Sequence, residues 1–144
     1  MSHNKILGWR EWIELPELGL PLIKAKIDTG ARTSCLHAFE LEVITRDGEE
    51  WACFKVHPVQ GNDEQVIACE SRIYDRRQVR DSGGHSEERI VLLTTMRVGD
   101  WEEKVEMTLT ARDNMRFRML MGRTSISRGG FVVDTSCSYL QKLK

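Results

Sequence analysis

The chain has 144 residues, a hydrophobic fraction of 40% and a charged fraction of 30%, which is the balance of an ordinary globular domain with a modest core. Its formal net charge of −1 provides no overall field for nucleic acid or for an anionic membrane surface. No apolar run approaches membrane-spanning length, and Ile6-Leu7-Gly8-Trp9-Arg10 is too short for a signal peptide, so a cytoplasmic protein is the default expectation. In that compartment four cysteines read as reduced thiols. Cys35, Cys53 and Cys69 stand among small or apolar neighbours, and Cys137 is expected to be more exposed.

Leu7 to Leu15 reads as a first strand, ended by Pro16-Glu17-Leu18-Gly19 and Pro21, after a flexible arm at 1–6. Leu22 to Ile27 then alternates as a half-buried strand and breaks into Asp28-Thr29-Gly30-Ala31. A carboxylate at a strand end, a hydroxyl that can bond nearby backbone and a glycine that turns tightly make this the stretch with most chemistry. Leu36, Phe39, Leu41 and Val43 carry an apolar rhythm to Asp47-Gly48, a hairpin signal, and Trp51 to Val56 is the return strand.

Val66 to Tyr74 is strand-like, and Arg72 to Arg89 is polar and arginine-rich, with Gly83-Gly84 as a hairpin tip. Ile90 to Val98 and Trp101 to Thr110 form another hairpin around Gly99-Asp100. Val105, Met107 and Leu109 share one face; Glu106, Thr108 and Thr110 share the other. Met115 to Met121 is a late core strand leading into Gly122-Arg123, with Thr124 or Ser125 expected to cap a short helix. Many short strands with little helix predict an all-β, barrel-like single domain over 1–144.

Asp-Thr-Gly-Ala at 28–31 followed far downstream by an apolar strand ending in Gly122-Arg123 resembles the single-lobed, retroviral-type aspartic peptidases. The match can be narrowed. Ile6 to Trp12, Ala25 to Ser34, Arg77 to Gly84 and Met119 to Arg123 resemble a bacterial family labelled ATP-dependent zinc proteases, whose members have a retropepsin-like fold. The resemblance implies a single-lobed acid-protease closed barrel with one short C-terminal helix. It also implies a peptidase whose Asp28, Thr29 and Gly30 are catalytic. Gly122 and Arg123 would support that loop. Some relatives in this family stand beside, or are fused to, ATP-grasp ligases that add glutamate tails to a ribosomal protein.

Hydrolysis by this route needs two carboxylates sharing a water, and this chain offers one good copy. A C2 homodimer is therefore expected, with Asp28 of each subunit at the axis and Thr29 reaching across. Ala31 with Gly30 would present backbone to an extended peptide. Arg32 stands where retroviral enzymes typically carry an aspartate that pairs with the arginine of Gly-Arg, so it must turn toward solvent, substrate or another acid. The flap is expected at 72–89, with Arg77, Arg80, Gly83 and Gly84 contacting an acidic peptide such as a glutamate-rich tail. The plainer alternative is that these charges decorate an exposed edge hairpin.

Two rivals to Asp28 are weaker. Asp134-Thr135-Ser136 lacks the glycine, and Asp81-Ser82-Gly83 lacks an apolar strand before it. No metal and no cofactor are expected: there is no His-Glu-x-x-His or phosphate loop, and Cys35-x-His37 and Cys53-x-x-x-His57 fit no familiar metal spacing. Peptide or protein is the expected partner. The competing functions are a catalytically silent peptide-binding module on the same fold and, behind it, a zinc-dependent hydrolase.

Overall fold

The computed structural model describes residues 5–59, 61–62, 64–80, 83–111 and 117–141. Twelve strands and one short helix order these residues: β1 (Ile6–Leu7), β2 (Arg10–Leu15), β3 (Leu20–Asp28), β4 (Ser34–His37), β5 (Phe39–Arg46), β6 (Glu49–Val56), β7 (Ile67–Arg72), β8 (Asp75–Arg80), β9 (Ser86–Val98), β10 (Trp101–Thr110), β11 (Met119–Gly122), α1 (Arg123–Arg128) and β12 (Val132–Val133). The expected all-β architecture with one short helix near the C-terminal end is present.

A seven-stranded sheet runs in the order β10-β4-β11-β3-β2-β9-β8, and an additional β10–β9 pairing brings it round into a ring. β11 lies between two strands from the other end of the chain, parallel to β3 and antiparallel to β4. That insertion sets Gly122 opposite Asp28. A separate three-stranded sheet, β5-β6-β7, and a two-stranded parallel pair, β1-β12, flank the ring.

Alternation decides which side of the ring is core. Ile23, Ala25 and Ile27 of β3, Leu36 of β4, Met107 and Leu109 of β10, and Met119 and Met121 of β11 point inward and are buried. Their register partners are one another: Ala25 faces Met119, Ile27 faces Met121 and Leu36 faces both Met119 and Leu109. Burying large aliphatic side chains of this kind stabilises the fold by about 1.5–3 kcal/mol each.

The hairpins form where local chemistry demanded them. Asp47 and Gly48 both adopt positive φ (53° and 78°), the twist-matched two-residue turn, and Arg46 pairs with Glu49 across it. Val98 pairs with Trp101 around Gly99-Asp100. Arg80 pairs with Ser86 at the head of the β8–β9 hairpin, the segment expected to be the flap. Asp81 and Ser82 at its tip lie outside the described residues, as do Met115 and Arg116 of the expected late strand and residues 1–4 of the expected arm.

Several expectations need correction. The first strand is broken into β1 and β2 because Gly8 lies against the backbone of Cys137, where an added Cβ would come within 2.4 Å of the Cys137 carbonyl oxygen. Ile6 belongs to β1, paired with Val132, and not to an arm. Neither Thr124 nor Ser125 caps α1. The helix starts directly after Gly122, so both hydroxyls fall within its first turn and bond elsewhere. Thr108 and Thr110, on the polar phase of β10, are also buried. Cys137 is only half-exposed, like Cys53.

The chain ends are fastened by an acid. Glu11 is fully buried, and its carboxylate accepts the backbone amides of Gly8 (2.7 Å), Leu140 (2.9 Å) and Gln141 (3.0 Å). Trp12 stacks on Tyr139 at 5.5 Å, and Gln141 donates its side-chain amide to the Ile6 carbonyl. The C-terminal segment is thereby laid along β1 and β2.

Candidate active site

The Asp-Thr-Gly loop is held by the residues after β11. The Arg123 amide donates to the Ala31 carbonyl (2.7 Å), and its guanidinium Nη1 donates to the Thr29 carbonyl (3.0 Å). Thr124 donates both its amide (3.0 Å) and its hydroxyl (2.6 Å) to the Arg32 carbonyl. Beneath them, the Ser34 hydroxyl accepts the Gly122 amide at 3.0 Å and meets the Ser125 hydroxyl at 3.1 Å. Gly122 has to be glycine here: a Cβ would lie 2.6 Å from the Thr33 carbonyl carbon and 2.8 Å from the Ser34 nitrogen. The contacts expected of Gly122 and Arg123 are therefore present, and Ser34, Thr124 and Ser125 extend them.

Asp28 ends β3 half-buried, with Thr29 and Gly30 exposed beyond it. Its Oδ1 accepts the Gly30 amide at 3.0 Å. The hydrogen bond fixes the carboxylate at the turn, while partial exposure leaves it reachable. The Ala31 backbone differs from expectation. Its amide donates to the Asp28 carbonyl (3.3 Å) and its carbonyl accepts from Arg123, so both groups are already bonded within the chain.

Register connects Asp28 to the hairpin. Side chains of directly paired residues share a face, and residues two apart on a strand return to it. Asp28 pairs with Gly122; Leu120, two residues earlier, pairs with Cys35; Cys35 pairs with Thr108; Thr108 pairs with Val91; and Val91 pairs with Asp75, two residues before Arg77. Asp28, Cys35, Glu106, Thr108 and Arg77 thus all lie on the outward face of the ring, opposite the apolar core. A contact confirms the geometry: Arg89 Nη1 reaches the Cys35 Sγ at 3.6 Å.

The arginine-rich hairpin is not an open cationic surface. Arg72 pairs with Glu49 (2.8 Å), Arg76 with Glu50 (3.2 Å) and Glu88 (3.3 Å), and Arg89 with Glu87 (2.5 Å). Arg77 is gripped hardest. Its two terminal nitrogens donate to the two Glu106 oxygens at 2.6 and 3.0 Å, and its Nε donates to Asp75 at 2.7 Å. These bonds hold the Arg77 guanidinium even more firmly protonated than usual, and the hydrogen bond from Arg77 is the largest influence keeping the Glu106 carboxyl below the ordinary carboxylate range. Arg77, expected to contact substrate, is already held by two carboxylates of this chain. Arg80, Gly83 and Gly84 are exposed at the head of the hairpin.

Arg32 is exposed, and its backbone carbonyl is held by Thr124. The charge of Arg32 adds to that of Arg77 in lowering the Glu106 carboxyl, while Arg123 is engaged with the Thr29 carbonyl. Glu106 was invisible as a site residue in the sequence, because only sheet register brings β8 and β10 together across β9.

Of the rivals, Asp134 bonds the amide and hydroxyl of Ser136 in a local turn, and Asp81 lies outside the described residues. Among the described residues no group of three or more His, Cys, Asp or Glu side chains is placed to hold a metal ion. His57 stacks on Phe39 at 4.3 Å.

Comparison with known proteins agrees with this geometry. Residues 6–144 match the family model RimB-like, described as "Retropepsin-like aspartic endopeptidase RimB". A protein of Shewanella pealeana named "Probable alpha-L-glutamate ligase" is 44% identical over 140 residues, covering 96% of this chain and 30% of that protein. One of the same name from Parasynechococcus marenigrum is 42% identical over 139 residues, with the same coverage. The chain thus spans less than a third of the length of these relatives. Among solved structures, the Legionella pneumophila protein Lpg0085, described as of unknown function (DUF785), superposes with a TM-score of 0.78 at 25% identity, covering 94% of this chain and 97% of that one. The fold and the near full-length family match together establish that the chain belongs to the RimB-like family of retropepsin-like aspartic endopeptidases.

Proposed function

We propose that the protein is an aspartic peptidase that works as a homodimer, with one Asp28 from each subunit flanking a water molecule. The observation that carries this reading is the placement of Asp28: a half-exposed carboxylate, locked at its turn, on the outward face that continues to the β8–β9 hairpin. Like charges brought so close cannot both ionise, so the pair holds one proton between them. The ionised carboxylate takes a proton from the water as its oxygen bonds to the scissile carbonyl carbon. The protonated partner gives its proton to the carbonyl oxygen. On collapse the C–N bond breaks: the amine leaves with the proton that the first carboxylate took from water, and a hydroxyl of the intermediate returns a proton to the second, so the pair again holds one. Exposed Thr29 provides the contact between the two loops, Gly30 lies at the peptide-facing edge, and the β8–β9 hairpin with Gly83-Gly84 covers the bound peptide.

The substrate class we propose is an acidic, glutamate-rich peptide. Support comes from the glutamate-ligase name of the longer relatives and from Arg32 and Arg80, both exposed near the proposed cleft. A second reading is favoured by the same coverage figures. A domain equivalent to under a third of a ligase-named protein also suits a silent module that presents a peptide tail.

The test compares wild type with Asp28→Asn on glutamate-rich and neutral peptides, with and without a chelator. Cleavage should fall by at least about 10²-fold in the variant, the scale of a lost acid–base group, and ignore the chelator. Peptide binding without cleavage by either protein would select the silent module. Activity that survives Asp28→Asn but is lost to the chelator would assign the hydrolysis to a metal.

A further inference from the structure

We propose that Glu106 is a positioning residue that ties the first strand of the flap hairpin to the Arg32 corner of the Asp-Thr-Gly loop, so that both walls of the peptide cleft are held as one unit. The inference rests on the Asp28 reading above. It adds a residue with no counterpart in the Asp-Thr-Gly and Gly-Arg motifs.

Three observations carry it. First, the Arg77–Glu106 contact is a two-pronged fork at 2.6 and 3.0 Å between residues 29 apart, with each side chain a little over one-third exposed. Isolated surface ion pairs contribute little, but a bidentate guanidinium–carboxylate fork is directional and fixes geometry. Second, Glu106 adjoins the active-site loop. The next residue, Met107, pairs with Ser34, and the Thr108 hydroxyl donates to the Ser34 carbonyl at 3.2 Å. Glu106, Thr33, Tyr74 and Thr124 line one recess of about 220 Å³, and Thr124 is the residue that grips the Arg32 carbonyl. Third, Arg77 holds Asp75 through its Nε at 2.7 Å while it forks onto Glu106, so the contact is anchored along β8 and not at one atom.

A tie of this kind affects peptide capture more than the chemical step, because Glu106 stands on β10, with β4 and β11 between it and Asp28 on β3. The experiment measures cleavage of a glutamate-rich peptide, peptide binding in an Asp28→Asn background and amide exchange across Asp75–Arg80. Glu106→Gln should raise KM and the dissociation constant roughly tenfold, the scale of one charge-assisted bond, with kcat within about twofold. Exchange at Asp75–Arg80 should speed up while β5–β7 is unchanged. The charge swap Arg77→Glu/Glu106→Arg, made with Asp75→Asn to remove the carboxylate that Arg77 also holds, should restore slow exchange in β8 without restoring KM, because it re-forms the fork yet sets a positive charge in the recess beside Thr33 and Thr124. Unchanged KM and binding in Glu106→Gln would overturn the proposal while leaving Asp28 in place. So would full recovery of KM in the swap, which would reduce Glu106 to a strut for Arg77. If wild type cleaves nothing, the Asp28 reading falls, and the binding and exchange arms still decide the role of Glu106.

Discussion

Glu11 and Asp28 are two acids on neighbouring strands with opposite uses. Glu11 is fully buried, and its two oxygens accept three backbone amides from both ends of the chain. Asp28 is half-exposed and takes one amide, from Gly30, among the described residues. A buried carboxylate saturated by backbone donors is a fastening, because leaving those donors unmatched in the interior is costly. A carboxylate fixed on one side and reachable on the other can exchange a proton with a water. The difference is one of saturation, not of residue type.

The largest effect on stability is therefore expected at the fastening. Glu11→Ala leaves three amides without their acceptor and should lower unfolding free energy by about 3–5 kcal/mol, read as a shift in urea midpoint. A loss below about 1 kcal/mol would show that water replaces the carboxylate and would remove the contrast with Asp28.

Next comes the floor of the active-site loop. Gly122→Ala forces a Cβ against the Thr33 and Ser34 backbone, which can move only by shifting the loop. A cost of about 1–3 kcal/mol is expected, together with loss of any Asp28-dependent activity. Thr124→Val, which deletes one hydroxyl bond to the Arg32 carbonyl, should cost about 1 kcal/mol or less. Activity in Gly122→Ala equal to wild type would mean that the loop tolerates displacement, and the comparison would lose its precision at the reactive end.

The smallest effect concerns acid. Glu106 and Asp75 are held below their ordinary values, first by the hydrogen bonds from Arg77. A depressed carboxyl contributes stability above its unfolded pKa and loses it as the pH falls through the folded one. Wild type should therefore lose stability below about pH 4, and Glu106→Gln should flatten part of that slope. Both groups are over one-third exposed, so solvent screening keeps the change small. Urea midpoints at about pH 6 and about pH 3.5 for the two proteins measure it.

Local spacing made much of this legible in the sequence. Asp-Thr-Gly after an alternating strand, Gly-Arg after an apolar one, and the Asp47-Gly48 and Gly99-Asp100 turns depend on residues within a few positions of one another. Long-range pairing was not legible. Glu11 binds amides about 130 positions away, yet it left a trace: in Arg-Glu-Trp-Ile-Glu-Leu it shares the inward phase with Ile13 and Leu15, and an acid in that phase must find buried donors. Arg77 and Glu106 left no such trace. Their meeting depends on β9 lying between β8 and β10, so composition read the arginine cluster as open charge when the sheet had already paired most of it. Thr124 and Ser125 were misread for a related reason: a helix beginning directly at Gly122 sets their hydroxyls facing the loop.

The most direct test of the central claim uses mixed dimers. Wild-type and Asp28→Asn chains are co-refolded in varying proportion, and cleavage of a glutamate-rich peptide is measured at constant total protein. If each site needs Asp28 from both subunits, activity should follow the square of the wild-type fraction. Activity that falls in direct proportion to that fraction would show each chain acting alone and would contradict the shared site.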